Sequence, residues 1–277
     1  MQFDLISDLH VDERFGRSMK SMKSIDSYFS DKFRNKNSDV LAIAGDFGFG
    51  PPQTKFVLNI ASQYYEHVVF VDGNHDHYNH EGLGIEANIY DFRKFSEQRS
   101  DLTYLSHHLE GSVKVFENTM FVGDNAWYDW NFHSYLTKEQ QFDIWRNYMN
   151  DYRMIYFVND DYPDVYAKNA ADYLINTISK ADAMTEIDNV VVITHSCPIK
   201  EAMWPENKRG SEMNGSFLNS HLKSYIDSGK VSSKVKVWCF GHTHTKFDGV
   251  CSNIRFVNNA SGYTFEGLSD DIVTIRI

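Results

Sequence analysis

The sequence predicts an α/β fold built on parallel strands, and two observations carry that reading. Through roughly the first 100 residues, strand-like apolar runs alternate with helical stretches, the pattern of βαβ units with right-handed crossovers. Five apolar runs then end in clusters of Asp, His, Asn and Gly. Residues 2–7 run into Asp8-Leu9-His10, 39–44 into Gly45-Asp46, and 67–72 into Gly73-Asn74-His75-Asp76. Later, 189–194 run into His195 and 235–240 into Gly241-His242-Thr243-His244. In an open parallel sheet the loops after the strand C-terminal ends share one edge, where ligands bind. Residues spread over most of the chain are therefore expected in one place.

The connecting elements follow in order. Residues 17–33 read as a first helix. A second spans 52–65, with prolines near its start, where a missing N–H is tolerated. A third spans 85–98, and 102–105, 112–117 and 119–123 read as shorter strands stepping into a second sheet. Segment 124–164 differs, being dense in aromatics such as Trp127, Trp130, Trp145, Tyr148 and Phe157. Either it caps the ligand edge, or its rings simply pack a helical hairpin onto the sheet. Helices are expected at 166–180 and at 214–227, the latter stopped by Gly229. Antiparallel strands at 245–251, 253–257 and 271–277 close the chain. No linker, repeat or composition break divides it, so one domain over 1–277 is expected.

The composition excludes some classes. A formal charge of −11 argues against a broad basic face for nucleic acid, where Lys and Arg supply most of the affinity. Cys197, Cys239 and Cys251 form no C-x-x-C pair and are odd in number, which suits a reducing compartment. The N-terminus carries Asp4 and Asp8 and no apolar signal-peptide core. No stretch approaches the ~18 apolar residues that span a bilayer. A cytoplasmic protein without a membrane partner is expected.

The clustered side chains offer carboxylate, amide and imidazole donors, the set that binds divalent metals such as Mn, Fe, Co, Ni or Zn. Asp8/His10 and His242/His244 share an i, i+2 spacing, which turns both side chains of an extended loop to one side. Asp46 follows Gly45, and Asn74-His75 follow Gly73, so the backbone can turn sharply toward an ion. Any one block alone is weak, since a lone buried His is usually a hydrogen-bonded structural residue. Five blocks in order, each at a strand end, are not independent accidents. A pair of ions ~3.5–4 Å apart needs about this many ligands and one bridging carboxylate.

The blocks D-x-H, G-D, G-N-H-D, a strand-terminal His and G-H-x-H resemble, in order and spacing, the calcineurin-like metallophosphoesterase superfamily over residues 4–244. The resemblance implies a four-layer αββα sandwich of two mixed sheets with the metals at the strand C-terminal ends. It implies Asp8, His10 and His244 on a first ion, Asp46 as bridge, and Asn74, His195 and His242 on a second, with manganese the first expectation. It implies a hydroxide between the ions as nucleophile. His75 would bind no metal and would instead face the phosphate and protonate the leaving oxygen. Asp76 is expected behind the ligands, accepting a hydrogen bond from backbone or from a ligand His. His77 and His80 read as solvated loop residues, His107-His108 as surface, and Cys197 as a small buried filler.

Departures narrow the class. After Gly45-Asp46 there is no Asp-Arg-Gly, which speaks against a Ser/Thr protein phosphatase, and the Tyr ligand of purple acid phosphatases is missing. The tail 257–263 is similar to the Asn-Pro-x-Gly-Tyr of small bacterial and phage phosphoesterases but lacks the Pro and a basic residue. Lys200, Lys208 and Arg209 are the alternative candidates for a phosphate clamp. The expected activity is hydrolysis of a small phosphodiester. A nuclease, a phosphomonoesterase and a non-catalytic scaffold are the alternatives.

Overall fold

The computed structural model describes residues 1–17, 22–79, 82–109, 111–156 and 162–277. Strands β1 (Gln2–Ile6), β2 (Val40–Ala44), β3 (His67–Val71) and β4 (Leu102–Tyr104) lie parallel in one sheet. The second sheet begins with β5 (Val113–Phe116), β6 (Thr119–Asp124), β7 (Asn189–Thr194) and β8 (Val235–Phe240). It ends with β9 (Phe247–Cys251) and β10 (Ile254–Asn258), in the spatial order β5-β6-β7-β8-β10-β9. Here β6, β7, β8 and β10 run parallel, with β5 and β9 as antiparallel edges. The last strand, β11 (Val273–Arg276), returns to the first sheet and pairs antiparallel with β1.

Period-two alternation sorts each strand's side chains between two cores. Val40, Ala42 and Ala44 of β2 join Val69 and Val71 against Val191, Ile193, Val237 and Cys239 of the other sheet. Leu41 and Ile43 point the other way, onto α2 (Met22–Arg34), α3 (Gly50–Ala61) and α4 (Ile85–Glu97). Helix α2 meets them with Ile25, Phe29 and Phe33, one residue per turn. On the far side, α7 (Tyr162–Asp182) lays Ala170, Leu174 and Ile178 on the second sheet beside Leu222 and Ile226 of α8 (Ser220–Asp227). Helix, sheet, sheet, helix is the four-layer order expected. Each of the buried Val, Leu, Ile and Phe side chains among these contributes about 1.5–3 kcal/mol.

The boundaries differ in informative ways. A short helix, α1 (Val11–Phe15), starts directly after the first ligand loop, and the helix expected from residue 17 is α2. Residues 18–21 of that expectation lie outside the described residues. The helix expected from 214 begins only at Ser220, after a 3-10 turn over Ser211–Ser216. Its N-cap is Asn219, whose amide oxygen accepts the Leu222 N–H at 2.9 Å while its NH2 donates to the Ala126 and Ala167 carbonyls. Strand β4 belongs to the first sheet, so the step to the second comes after it.

In segment 124–164, Trp127, Tyr128, Trp130 and Trp145 are buried in the core beneath the first sheet's helices. The segment holds α5 (Lys138–Tyr148), opened by a Thr137/Gln140 capping box, and α6 (Asp151–Met154). Phe157 lies outside the described residues.

Candidate metal centre

The two sheets are tied together at the strand C-terminal edge. Ser7, just past β1, bridges to Ala260, just past β10, through Ser7 N–H to Asn259 O at 3.3 Å and Ser261 N–H to Ser7 O at 2.9 Å. The ligand loops of both sheets therefore open onto one space. The backbone turns sharply there: φ is 52° at Asp8, 42° at His10, 56° at Asp46, 68° at His242 and 46° at His244. Left-handed conformations at non-glycine residues cost of order 1–3 kcal/mol each and collect at functional sites. Glycines make the approach possible. A Cβ on Gly73 would stand 2.1 Å from Asp46 Oδ1, and one on Gly45, itself at φ 82°, 2.6 Å from His195 Nδ1.

Seven of the residues named from sequence meet here. Asp8, His10, Asp46 and His244 form one group of donor atoms lying within 4.8 Å of one another; Asp46, His195 and His242 form another. Asp46 is common to both, with Oδ2 3.6 Å from His10 Nε2 and Oδ1 3.4 Å from His195 Nε2. Asn74 Oδ1 stands 2.9 Å from the same His195 nitrogen. His10 Nε2 and His244 Nε2 point at each other across 2.8 Å, and Asp8 Oδ2 is buried with no hydrogen-bond partner. Opposed ring nitrogens and an orphaned carboxylate oxygen want a cation between them. The donor set fits two divalent ions sharing one carboxylate.

The rest of the protein orients these donors. His195 Nδ1–H donates to Ala44 O at 2.9 Å and His242 Nε2–H to Ser216 O at 2.9 Å, which leaves Nε2 of His195, beside Asp46 and Asn74, and Nδ1 of His242 as the candidate donors. Glu266 Oε2 holds His244 Nδ1 at 2.8 Å. Asp76, fully buried, accepts the backbone N–H of Asp46, Phe47 and Gly73 at 2.8–3.1 Å and the Thr54 hydroxyl at 2.7 Å. It shapes the loop that presents Asp46 and touches no ligand ring in these bonds. Asp46 itself resists the upward push of burial, because His195, His75 and His10 hold its carboxyl well below the usual range. Burial opposes charge on His195, yet the Asp46 carboxylate raises it to about 10. Burial and the neighbouring His195 lower His242 to about 3.

His75 sits beside both donor groups. Its backbone N–H donates to Asp46 Oδ1 at 2.9 Å, its ring stacks on Tyr78 with centroids 4.2 Å apart, and Nε2 lies 3.2 Å from Tyr263 Oη. Burial lowers its basicity, but Asp46 and then Asp12 raise it to about 9. Above it opens a cleft of about 180 Å³ walled by Tyr148, Met149, Asn150, Trp204, Met213, Phe217 and Tyr263.

A family model described as calcineurin-like phosphoesterase matches residues 1–246. The chain belongs to the calcineurin-like phosphoesterases. Members of this family are metal-dependent phosphoesterases, which is the class of this chain. A protein of Acanthamoeba polyphaga mimivirus is 21% identical over 276 residues, spanning 94% of this chain and 91% of that protein. Among solved structures, the phosphopantetheinyl hydrolase of Mycobacterium tuberculosis superposes with a TM-score of 0.74 at 14% identity, over 99% of this chain and 95% of that one. A dimetal phosphatase from Danio rerio gives 0.59 at 14% identity, over 99% and 91%. At such identity these two likenesses speak for the calcineurin-like fold alone. No helix among the described residues is long and apolar enough to cross a membrane.

Some expectations about this phosphoesterase site need correcting. His77, expected in solvent, is fully buried with Nε2 2.6 Å from Asp72 Oδ2, because the 3-10 turn His75–His77 folds it under α4. His107, expected on the surface, has Nδ1 2.8 Å from Asp124 Oδ2, since Asp124 also accepts its backbone N–H. His80 lies outside the described residues. Cys197 is buried, its thiol donating to Ile199 O.

Sequence reasoning missed three residues. Asp12 continues the alternation of Asp8 and His10 one step further and stands 3.8 Å from His75 Nδ1. Glu266 lies three residues past the Tyr263 of the tail block. Asp151 had no signal: it is one acid in the aromatic segment, yet it binds the Asn74 amide at 2.8 Å and so turns Oδ1 toward His195.

Proposed function

We propose that this chain hydrolyses a small phosphodiester at two divalent ions, manganese by preference. In this reading Asp8, His10 and His244 hold one ion, Asn74, His195 and His242 the other, and Asp46 bridges them. Bound ions of this kind supply Lewis acidity and a water of lowered pKa. His75 keeps a proton at Nε2 for the leaving oxygen, while Asp76 fixes the Asp46 loop. The whole chain is read as one domain, with segment 124–164 capping the cleft through Tyr148, Met149 and Asn150. Three free cysteines suit a cytoplasmic setting.

One observation carries the diester reading: among the described residues lining the cleft there is no Lys or Arg. Of the three clamp candidates, none of which lines the cleft, Lys208 stands with its ammonium 3.8 Å from the Trp204 ring centroid and Lys200 5.0 Å from that of Phe132. A monoester carries about −1.5 to −2 at neutral pH, a diester about −1. Sites for the more charged ester usually add an Arg or Lys clamp. The aromatic walls favour a planar or apolar substituent on the phosphate.

The test compares kcat/KM for bis-(nitrophenyl) phosphate and nitrophenyl phosphate with Mn²⁺, in a panel that adds cyclic phosphodiesters, a phosphopantetheinyl ester and single-stranded DNA. Higher kcat/KM for the diester is expected. A monoester preference of about tenfold, 1.4 kcal/mol in barrier, overturns the diesterase reading. DNA cleavage whose affinity falls steeply with salt moves it to a nuclease.

A further inference from the structure

We infer that Asp12 is a positioning residue that acts through His75, an inference that rests on the reading of His75 as the leaving-group acid. Asp12 lies in α1, two residues after His10. The left-handed turn at His10 starts that helix at once and swings Asp12 inward, while Glu13, next in the same turn, stays exposed. The Asp12 side chain is 0% exposed. Neither of its oxygens has a hydrogen-bond partner. A carboxylate is not buried bare without a compensating group nearby. A generic helix N-terminal acid would remain in solvent, as Glu13 does.

The groups around it are two imidazoles. One donor atom each from His10, Asp12 and His75 lies within 4.8 Å of the others. Asp12 Oδ2 is 3.8 Å from His75 Nδ1, and the rings of His10 and His75 meet edge to face at 4.4 Å. Nδ1 of His10 and Nδ1 of His75 are both buried with no hydrogen-bond partner, like the two Asp12 oxygens. On each ring the other nitrogen, Nε2, faces the site: toward Asp46 and His244 for His10, toward Tyr263 Oη for His75. Two unsatisfied atoms, Asp12 Oδ2 and His75 Nδ1, thus face each other, and they are complementary: a carboxylate beside an N–H edge.

A carboxylate beside Nδ1 favours the ring protonated on both nitrogens, its Nδ1–H toward Asp12 and its Nε2–H toward the cleft, and fixes the ring against a half-turn. The Tyr78 ring holds the plane of His75, so Asp12 decides which edge of that plane faces the cleft. One carboxylate then sets the orientation of the proposed acid. Asp12 touches neither phosphate nor leaving group. Its effect is expected in the step that His75 serves.

The experiment is a double-mutant cycle of Asp12→Asn and His75→Ala, with metal content by elemental analysis. Two diesters are used, one leaving as nitrophenolate and one as an alkoxide. Asp12→Asn should keep two ions per chain, leave KM nearly unchanged, and lower kcat about 10–100-fold for the alkoxide but much less for nitrophenolate. In the His75→Ala background it should cost nothing further. Additive losses, or equal losses for the two leaving groups in Asp12→Asn alone, overturn the inference while His75 keeps its role. Equal losses in His75→Ala remove the acid itself, and the inference with it. Should Asp12→Asn fail to fold, nitrogen-15 histidine spectra of the unaltered protein decide, with the His75 signals assigned by His75→Ala. A proton on His75 Nδ1 is expected, and a bare Nδ1 overturns it.

Discussion

Replacing Asp151 with Asn tests whether the aromatic segment helps to build the metal centre. The Asp151 carboxylate, carried by α6, accepts the Asn74 NH2 at 2.8 Å and the Tyr78 hydroxyl at 2.5 Å on one oxygen, and the Tyr128 hydroxyl at 2.5 Å on the other. Hydrogen bonds to a charged acceptor contribute about 1.5–3 kcal/mol against about 0.5–1.5 for neutral ones. Asp151→Asn keeps the shape and one acceptor oxygen, and the Tyr128 hydroxyl can turn to accept from the new NH2. The loss is then about 1 kcal/mol per bond, roughly 3 kcal/mol over the three. For a chain of this size that corresponds to a Tm lower by roughly 6–12 °C.

The functional loss is more specific. Without the charge that pins its NH2, Asn74 can flip and turn nitrogen instead of oxygen toward the proposed second ion. Loss of such an outer partner typically weakens metal affinity by about 10–100-fold. Metal titration monitored by calorimetry, with thermal unfolding in the presence and absence of Mn²⁺, reads both effects. Weaker binding of one ion of the two is expected. If Asp151→Asn loses stability yet binds both ions as tightly as the unaltered protein, the proposed orientation of Asn74 is refuted. Asp151→Ala is less informative, because three stranded donors at about 1–3 kcal/mol each threaten the fold itself.

Asp46→Asn removes the carboxylate shared by both donor groups, so loss of one or both ions with the fold kept is expected; two ions per chain by elemental analysis with normal turnover would dismiss the bridge. Gly73→Ala should cost about 1–3 kcal/mol and weaken metal binding, since its methyl group meets Asp46 Oδ1 at 2.1 Å, and unchanged metal affinity would contradict that crowding. Metal affinity should also rise with pH. In the metal-free protein His195 is raised to about 10, so the stabilisation from its pairing with Asp46 is full below the ordinary imidazole pKa and is lost as pH climbs through about 10. Binding an ion needs the neutral ring and releases that proton. Calorimetric titrations in buffers of different ionisation enthalpy count the protons, and pH-independent binding with none released would exclude His195 as a ligand.

Local pattern and block order carried most of the architecture. Short apolar runs ending in Asp, His and Gly mark strands that stop at ligands, and parallel strands stop on one edge whatever lies between them. Helix starts were less readable where a side chain from a distant segment decides them. Asn219 begins α8 because it also spans to the Ala126 and Ala167 carbonyls, contacts with no signature near residue 219. The same division runs through the site. Asp8, His10, Asp46, Asn74, His195, His242 and His244 stood out because these candidate metal donors come in short blocks at strand ends. The groups that aim them did not: Glu266, Asp151 and the carboxylate of Asp12 are single acids whose meaning depends on which ring folding places beside them. His77 shows the reverse, a histidine that looks exposed in sequence and is buried against Asp72. The sequence by itself determined the fold class and the chemistry of the donors, since both follow from local composition and order. Tertiary structure alone decided orientation, burial and charge, since these depend on contacts between residues far apart in the chain, as between Thr274 and Asp4, 270 positions away.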